Sequence, residues 1–278
     1  MQVKKTIFML SLCFALSFLA NVDVIAAKSD NNVGTKSNIK DSMFELTDEE
    51  AYGGIGALNY VTGMFYPAKS ELFVNLANTN IPTNGRTHYV RKETAQSLAK
   101  MIAAFKEEHP NVPVYVSSST RNFYDQKYIW EGKWNGTRKV DGKNLSKAIS
   151  EPLARGRYIL KFSSMPGTSR HHWGTDIDFN TLTDAYYTTG KGAVLYKWLK
   201  ANASEFGFYQ PYTAGRKVGY DEEKWHWSYM PLAKKFLADW NKLYPKINAT
   251  SAKNKFAGAD ACWHLAGEYV NGISDDCK

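Results

Sequence analysis

Between Glu93 and Phe105 the apolar positions recur at helical spacing. Ala95, Leu98, Ile102 and Phe105 share one face, and Pro110 lies beyond the end, so "GRTHYVRKETAQSLAKMIAAFKEEHP" predicts a helix. "VPVYVSSSTR" is a short β-branched run that predicts a strand ending in hydroxyls. Helical spacing resumes in "NFYDQKYIWEGKWNG", through Phe123, Ile129 and Trp130. Residues 135–168 are rich in Gly, Lys and Ser and predict a surface loop, with a short helix within "SKAISEPLARG". "GAVLYKWLKANASEFGF" predicts a helix stopped at Gly207. "KWHWSYM" predicts a strand, and "PLAKKFLADWNKLYP" a helix with Pro231 in its first turn. Upstream, Thr47 followed by Asp48, Glu49 and Glu50 marks a helix start with acids at the positive end of its dipole. No repeat or linker interrupts residues 45–245. The expected architecture is one α+β domain, a small and largely antiparallel sheet flanked by helices.

The two ends read differently. Lys4 and Lys5, the apolar run Thr6–Ala20 and the small Ala26 and Ala27 give residues 1–27 the pattern of an export signal. The run is short for a membrane span, and Leu12 before Cys13 is too large for a lipoprotein signal. Residues 28–44 are polar and aperiodic, as in a flexible leader. Residues 246–278 form a polar tail. Removing the signal leaves Cys262 and Cys277, both in that tail, and two cysteines in an oxidising compartment predict a disulfide. Together these features predict an exported protein, periplasmic or secreted, with no stable membrane insertion after signal cleavage.

Composition adds two constraints. The 278 residues are 44% hydrophobic and 14% aromatic, enough for a sizeable core and for a groove that grips sugar or peptide. The net charge of +8 becomes +7 without residues 1–27, which carry Lys4, Lys5 and Asp23. Such a chain is drawn to anionic polymers. Cell-wall polymers are one such partner and nucleic acid is another; no dense Lys/Arg run or nucleic-acid motif is present, and the charge by itself selects neither.

The candidate chemistry lies in "SRHHWGTDID", Ser169 to Asp178. Gly174 is the expected break. On the strand that follows, Asp176 and Asp178 share one face, with Ile177 and Phe179 on the other. His171 and His172 are neighbours and point to opposite sides in extended chain, so one histidine and one or both aspartates can converge. A catalytic zinc needs three N or O ligands and an open position. The third must come from His88, His109, His226 or His264, and His226 stands out. In "EEKWHWSY" it shares a strand face with Ser228, opposite Trp225, Trp227 and Tyr229, and Glu223 precedes it by three residues. A metal ligand beside a carboxylate is the pairing a metal-dependent hydrolase needs.

Three segments in this order resemble the VanY-type D-alanyl-D-alanine carboxypeptidases. "SRHHWGTDID" fits their Ser-x-His-(x)6-Asp pattern, "EKWH" their Glu-x-x-His pattern, and "SSSTRNFYDQ" their arginine followed five residues later by glutamine. The resemblance spans Tyr89 to Pro245. The family belongs to a zinc metallopeptidase group that includes lysostaphin-type enzymes and the hedgehog signalling domain. It implies a hedgehog/D-Ala-D-Ala-peptidase-like fold, Zn²⁺ on His171, Asp178 and His226, and Glu223 as general base. Arg121 would polarise the scissile carbonyl, and Ser169 and Gln126 would help hold substrate. His172 would be structural. Asp176 would be either a carboxylate behind the ligands or a solvated strand residue, and Trp173 and Trp225 either cleft walls or core. The implied substrate is a peptidoglycan stem peptide losing its terminal D-alanine. Competing readings are an L,D-carboxypeptidase or endopeptidase on the same scaffold, and a non-catalytic zinc or wall-binding module.

Overall fold

The computed structural model describes residues 46–250 and 256–278; the export-signal and leader expectations for residues 1–44 lie outside the described residues. Glu45–Lys278 forms one compact unit. The helices are α1 (Asp48–Tyr52), α2 (Ala57–Val61), α3 (Lys92–Glu108), α4 (Phe123–Trp134), α5 (Leu145–Ala148), α6 (Pro152–Leu160), α7 (Gly190–Asn202), α8 (Met230–Thr250), α9 (Ala259–Cys262) and α10 (Ala266–Asn271). Strands β1 (Phe73–Asn75) and β2 (Tyr89–Arg91) form a two-stranded antiparallel sheet. Strands β3 (Val116–Ser118), β4 (Asp176–Phe179), β5 (Phe208–Tyr209) and β6 (His226–Tyr229) form a second sheet in the order β3-β4-β6-β5, every pair antiparallel. The expected α+β architecture is the observed one.

Local chemistry sets the element ends. At α1, Thr47 Oγ1 accepts from Glu50 N–H and the Glu50 carboxylate accepts from Thr47 N–H, a reciprocal cap. Asn122 and Asp125 repeat this at α4, which therefore begins two residues after Arg121. Gly207, at φ +75°, ends the helical run after Asn202. The first predicted helix loses its beginning: Tyr89–Arg91 pairs with β1 as a strand, and the helix starts at Lys92. Propensity alone does not see that pairing. The expected loop at residues 135–168 contains two helices, α5 and α6.

The four-stranded sheet is two-faced, and that places the site. Val116, Ile177, Phe179, Phe208 and Trp227 face a core with Leu98, Ile102 and Phe105 of α3 and Leu195 and Leu199 of α7. The opposite face carries Asp176, Asp178, His226 and Ser228, all buried. A second apolar cluster joins α2, α4, α6, α8, α9 and α10. The C-terminal segment belongs to it: Phe256, Trp263, Leu265, Tyr269 and Ile273 are buried there.

The expected disulfide is not formed; Cys262 and Cys277 are both free and buried. Each thiol occupies its own niche. Cys262 packs on Gly156 of α6, where an added Cβ would lie 2.0 Å from its sulfur. Cys277 ends the chain's last 3-10 turn, within electrostatic reach of Arg170 and Asp176. Burial pushes the Cys262 thiol up to about 11, which makes it unreactive. Apolar packing holds this end of the chain.

Candidate metal centre and cleft

Register brings the donors together. Asp178 on β4 lies opposite His226 on β6, and Asp176 opposite Ser228. His171 comes from a 3-10 turn, Arg170–Trp173, closed by Gly174 at φ +76°. A side chain at Gly174 would meet the Phe73 ring at 2.4 Å, so both conformation and space require glycine there. The turn replaces the extended chain expected at the two histidines, but they still point apart. His171 Nε2 lies 3.3 Å from Asp178 Oδ2. His172 turns into the core, its Nδ1 2.7 Å from the Arg121 carbonyl and its Nε2 accepting from Gly167 N–H. Burial lowers its pKa to about 3, so it is neutral and structural.

One ligand atom each from His171, Asp178 and His226 lies within 4.8 Å of the others. His226 Nδ1 is 3.0 Å from Asp178 Oδ1 and 3.5 Å from Glu223 Oε2. The other three candidate histidines are elsewhere. His88 is tied to Asn84 and Ser119, His109 packs on Phe105, and His264 is exposed.

The donor set fits a zinc ion. Two imidazoles and one carboxylate are zinc ligands by type and number, with a position left for substrate or water. Each histidine is oriented by its other nitrogen. His171 Nδ1 donates to the Ser119 carbonyl at 2.8 Å, which leaves Nε2 free. His226 Nε2 donates to Asp176 Oδ1 at 2.8 Å, which leaves Nδ1 free. Asp178 Oδ1 is buried without a hydrogen-bond partner although Nδ1 is close. Lone pairs that face a common centre instead of each other give this geometry. Electrostatics agree. Burial disfavours a charged His226, but Asp176 and Asp178 outweigh it and raise its pKa to about 9, so this spot favours positive charge. Burial likewise opposes ionisation of Asp178, yet His171 and His226 hold its carboxyl well below the usual range.

Asp176 is no solvated strand residue. It is fully buried and accepts from His226, Arg170 (3.0 Å), Thr175 (2.6 Å) and Ser228 (3.0 Å). Arg170, 1% exposed, also donates to Ser228 Oγ at 2.6 Å and lies over the Trp173 ring. The Arg170–Asp176 pair is a supporting layer behind the donors. Reading the motif by family pattern passed over Arg170; its place between the first serine and histidine was the available signal.

The donors open into a cleft of about 460 Å³ lined by Arg121, Lys133, Asp184, Tyr212, Glu223 and Trp225, among others. Glu223 is fixed through its backbone. Its N–H donates to the Tyr212 carbonyl, and its own carbonyl accepts from Gln210. Its side chain is 16% exposed. Burial raises its carboxyl to about 7, against the attraction of His226, and Asp178 adds to the rise. Such a carboxyl can take up and release a proton near neutrality. Arg121 is held at both backbone ends, its N–H donating to the His171 carbonyl and its own carbonyl facing His172. Its buried Nε has no partner. Trp225 is a wall, whereas Trp173 is core. Ser169, just before the His171 turn, and Gln126 of α4 are not among the residues that line the cleft. Each is 1% exposed and each keeps a buried oxygen without a hydrogen bond, while Gln126 Nε2 holds the Ser164 carbonyl of the wall at 2.7 Å.

A mixed nitrogen and oxygen donor set at the floor of a cleft, with a carboxyl and a guanidinium above it, is the furniture of a metal-dependent hydrolase. The D-alanyl-D-alanine carboxypeptidase (VanY) family model matches residues 87–232, and the chain belongs to that family. Similar solved structures include the LD-carboxypeptidase LdcB, at 22% identity and TM-score 0.45 over 65% of this chain and 76% of that one. VanYB in complex with D-alanine-D-alanine is similar at 20% and 0.41 over 63% and 92%. DacB from Streptococcus pneumoniae is similar at 23% and 0.38 over 56% and 77%. No curated protein matches the chain. No helix among the described residues is long and apolar enough to cross a membrane.

Proposed function

We propose that the chain is a zinc-dependent D,D-carboxypeptidase that removes the terminal D-alanine from peptidoglycan stem peptides. The observation that carries this reading is the convergence of His171 Nε2, Asp178 and His226 Nδ1 at the cleft floor, with Glu223 Oε2 3.5 Å from His226. Zinc on these three residues would act as a Lewis acid and bring the pKa of a water toward neutrality. Glu223 takes the proton from the attacking water and returns it to the leaving amine. Arg121 donates its guanidinium to the carbonyl oxygen as charge develops there; removing one such donor typically costs on the order of a hundred- to a thousand-fold in rate. Ser169 and Gln126 support the wall against which the peptide lies. The reading also places the chain outside the cytoplasm, in line with the signal-like residues 1–27. The free thiols give no support to an oxidising compartment.

Defined pentapeptide and tetrapeptide muropeptides, incubated with the protein with and without chelator and read by mass spectrometry, test it. Chelator-sensitive loss of one alanine from the pentapeptide alone is expected. Loss from the tetrapeptide would make the enzyme an L,D-carboxypeptidase. Cleavage only of crosslinked dimers would make it an endopeptidase. No cleavage of any, by zinc-loaded protein, would leave a binding module.

A further inference from the structure

The cleft holds ionised groups for which the mechanism above has no task, and one of them is a lysine with only neutral partners. Lys133, in the last turn of α4, lines the cleft with Arg121. Its Nζ donates to Ser163 Oγ at 2.5 Å and reaches the Phe162 carbonyl at 3.5 Å. Both are neutral oxygens. The described lysine–carboxylate pairs involve Lys127, Lys224, Lys235 and Lys278, so no described carboxylate lies within 4.0 Å of the Lys133 ammonium. Nor does the ammonium cap its own helix, because its partners are across the cleft wall in the segment after α6.

A half-buried ammonium with only neutral partners, beside a second cation, destabilises the fold. Burial and the nearby Arg121 and Arg138 depress its pKa to about 8, with Glu223 opposing them. Strain of this kind persists where a ligand needs it. The lining charges come from different stretches of chain. Arg121, Lys133 and Lys161 contribute cations to the lining, and Asp184, Asp221 and Glu222 contribute anions from other segments. A peptide carboxylate that reaches Lys133 would meet a cation that has no described carboxylate partner.

We propose that Lys133 anchors the free C-terminal carboxylate of the substrate, which leaves Arg121 to the scissile carbonyl. This rests on the carboxypeptidase reading and narrows it. A chain that continues past the scissile bond through a main-chain peptide bond offers no C-terminal carboxylate there, so cleavage at an internal peptide bond is disfavoured. Lys133 is then a specificity residue of this site.

The test compares an N-acylated peptide ending in D-Ala-D-Ala, as free acid and as C-terminal amide, using the full chain with zinc. The amide is expected to be roughly 10- to 100-fold poorer in kcat/KM, the range of one charge-assisted hydrogen bond. Lys133→Met should lower kcat/KM for the acid by a similar factor, mainly through KM, and leave the amide unchanged; Lys133→Arg should restore part of the loss. Equal cleavage of acid and amide by the wild type overturns the proposal without any variant. So does an equal loss on both peptides in Lys133→Met. A third peptide, amidated at a side-chain carboxylate, separates the two sources of anion: if Lys133→Met erases that preference instead, the C-terminal assignment is wrong. If no peptide is cleaved, the carboxypeptidase reading fails on its own. Calorimetry with N-acetyl-D-alanine and N-acetyl-D-alaninamide then decides. Tighter binding of the acid that Lys133→Met abolishes supports the anchor, and equal binding overturns it.

Discussion

Replacing Asp176 with asparagine should weaken both the fold and the hold on zinc, by separable routes. Asp176 Oδ1 accepts from His226 Nε2 and Arg170 Nε, and Oδ2 accepts from Thr175 Oγ1 and Ser228 Oγ. An amide in one orientation keeps its oxygen on the first pair and turns its NH₂ toward the two hydroxyls, which can accept. The substitution therefore removes the charge while keeping the shape. Arg170 is 1% exposed, and no other carboxylate pairs with it among the described residues. Leaving such a cation uncompensated costs about 3–5 kcal/mol. For a domain of this size, ~2–4 °C per kcal/mol gives a Tm drop of roughly 6–20 °C. At His226 the amide oxygen is a weaker acceptor than a carboxylate, so Nδ1 becomes a poorer donor to metal. Zinc affinity should fall about 10- to 100-fold. Thermal unfolding with and without chelator reads the first effect, and competition with a chromophoric zinc chelator the second. Adding Arg170→Met removes the stranded cation, so most of the lost stability should return while zinc affinity stays low. An Asp176→Asn protein with wild-type Tm and affinity, or a double variant that regains both, would refute the reasoning.

Glu223→Gln should reduce turnover about 10²- to 10⁴-fold while zinc content is unchanged; metal analysis beside the muropeptide assay checks this, and full activity would remove Glu223 as the base. The Lys133 charge is present below pH 8 and lost above it, so the preference for a free carboxylate over an amide should decline as pH rises through about 8. The same shift predicts that Lys133→Met raises Tm at pH 7. The folded pKa lies below the ordinary 10.5, so protonation opposes folding at neutral pH, and that cost fades between about 8 and 10.5. Gly219 sits at φ +91°, and an added Cβ would meet the Gly272 carbonyl oxygen at 2.4 Å, so Gly219→Ala should part the Glu223 loop from the C-terminal segment. We expect both kcat and Tm to fall, measured on the same preparation, and an unchanged kcat would refute the bracing of the Glu223 loop. Alkylation without reductant, after unfolding, should label both Cys262 and Cys277 in a peptide map; an intact disulfide peptide would contradict the structure.

Where sequence reasoning succeeded, the signal was local. The alternation in "TDIDF" put Asp176 and Asp178 on one strand face, and both do lie on the buried polar face of β4. The spacing of Glu223 and His226 put a carboxylate within reach of the imidazole, and the two are 3.5 Å apart. Where it failed, the deciding contact was distant in sequence. Tyr89–Arg91 left the predicted helix because β1 pairs with it. Cys262 and Cys277 suggested a bond by number and compartment, but packing on Gly156 and near Arg170 gives each thiol its own buried niche. Lys133 carries no motif; only the wall it shares with Arg121 makes it notable.

The segment after Pro245 shows the same division. By composition it is a polar tail. In the structure Arg216 donates to the Gly272 carbonyl, Ser274 Oγ to the Gln210 carbonyl, and the Tyr220 and Tyr269 rings meet at 5.1 Å. These contacts brace the stretch from Gln210 to Glu223, which carries the proposed base.

The sequence by itself determined the residue chemistry: two imidazoles and a carboxylate of the right kinds, a glycine that only a left-handed turn needs, and periodicities that give each strand and helix one apolar face. Tertiary structure decided which atoms meet. Antiparallel register sets Asp178 against His226, a backbone carbonyl and a buried carboxylate choose which nitrogen each histidine presents, and a cation from α4 enters the same cleft. Side-chain periodicity is fixed by bonds between neighbours along the chain, whereas register, tautomer and burial depend on partners 50 or more residues away, which no local pattern encodes.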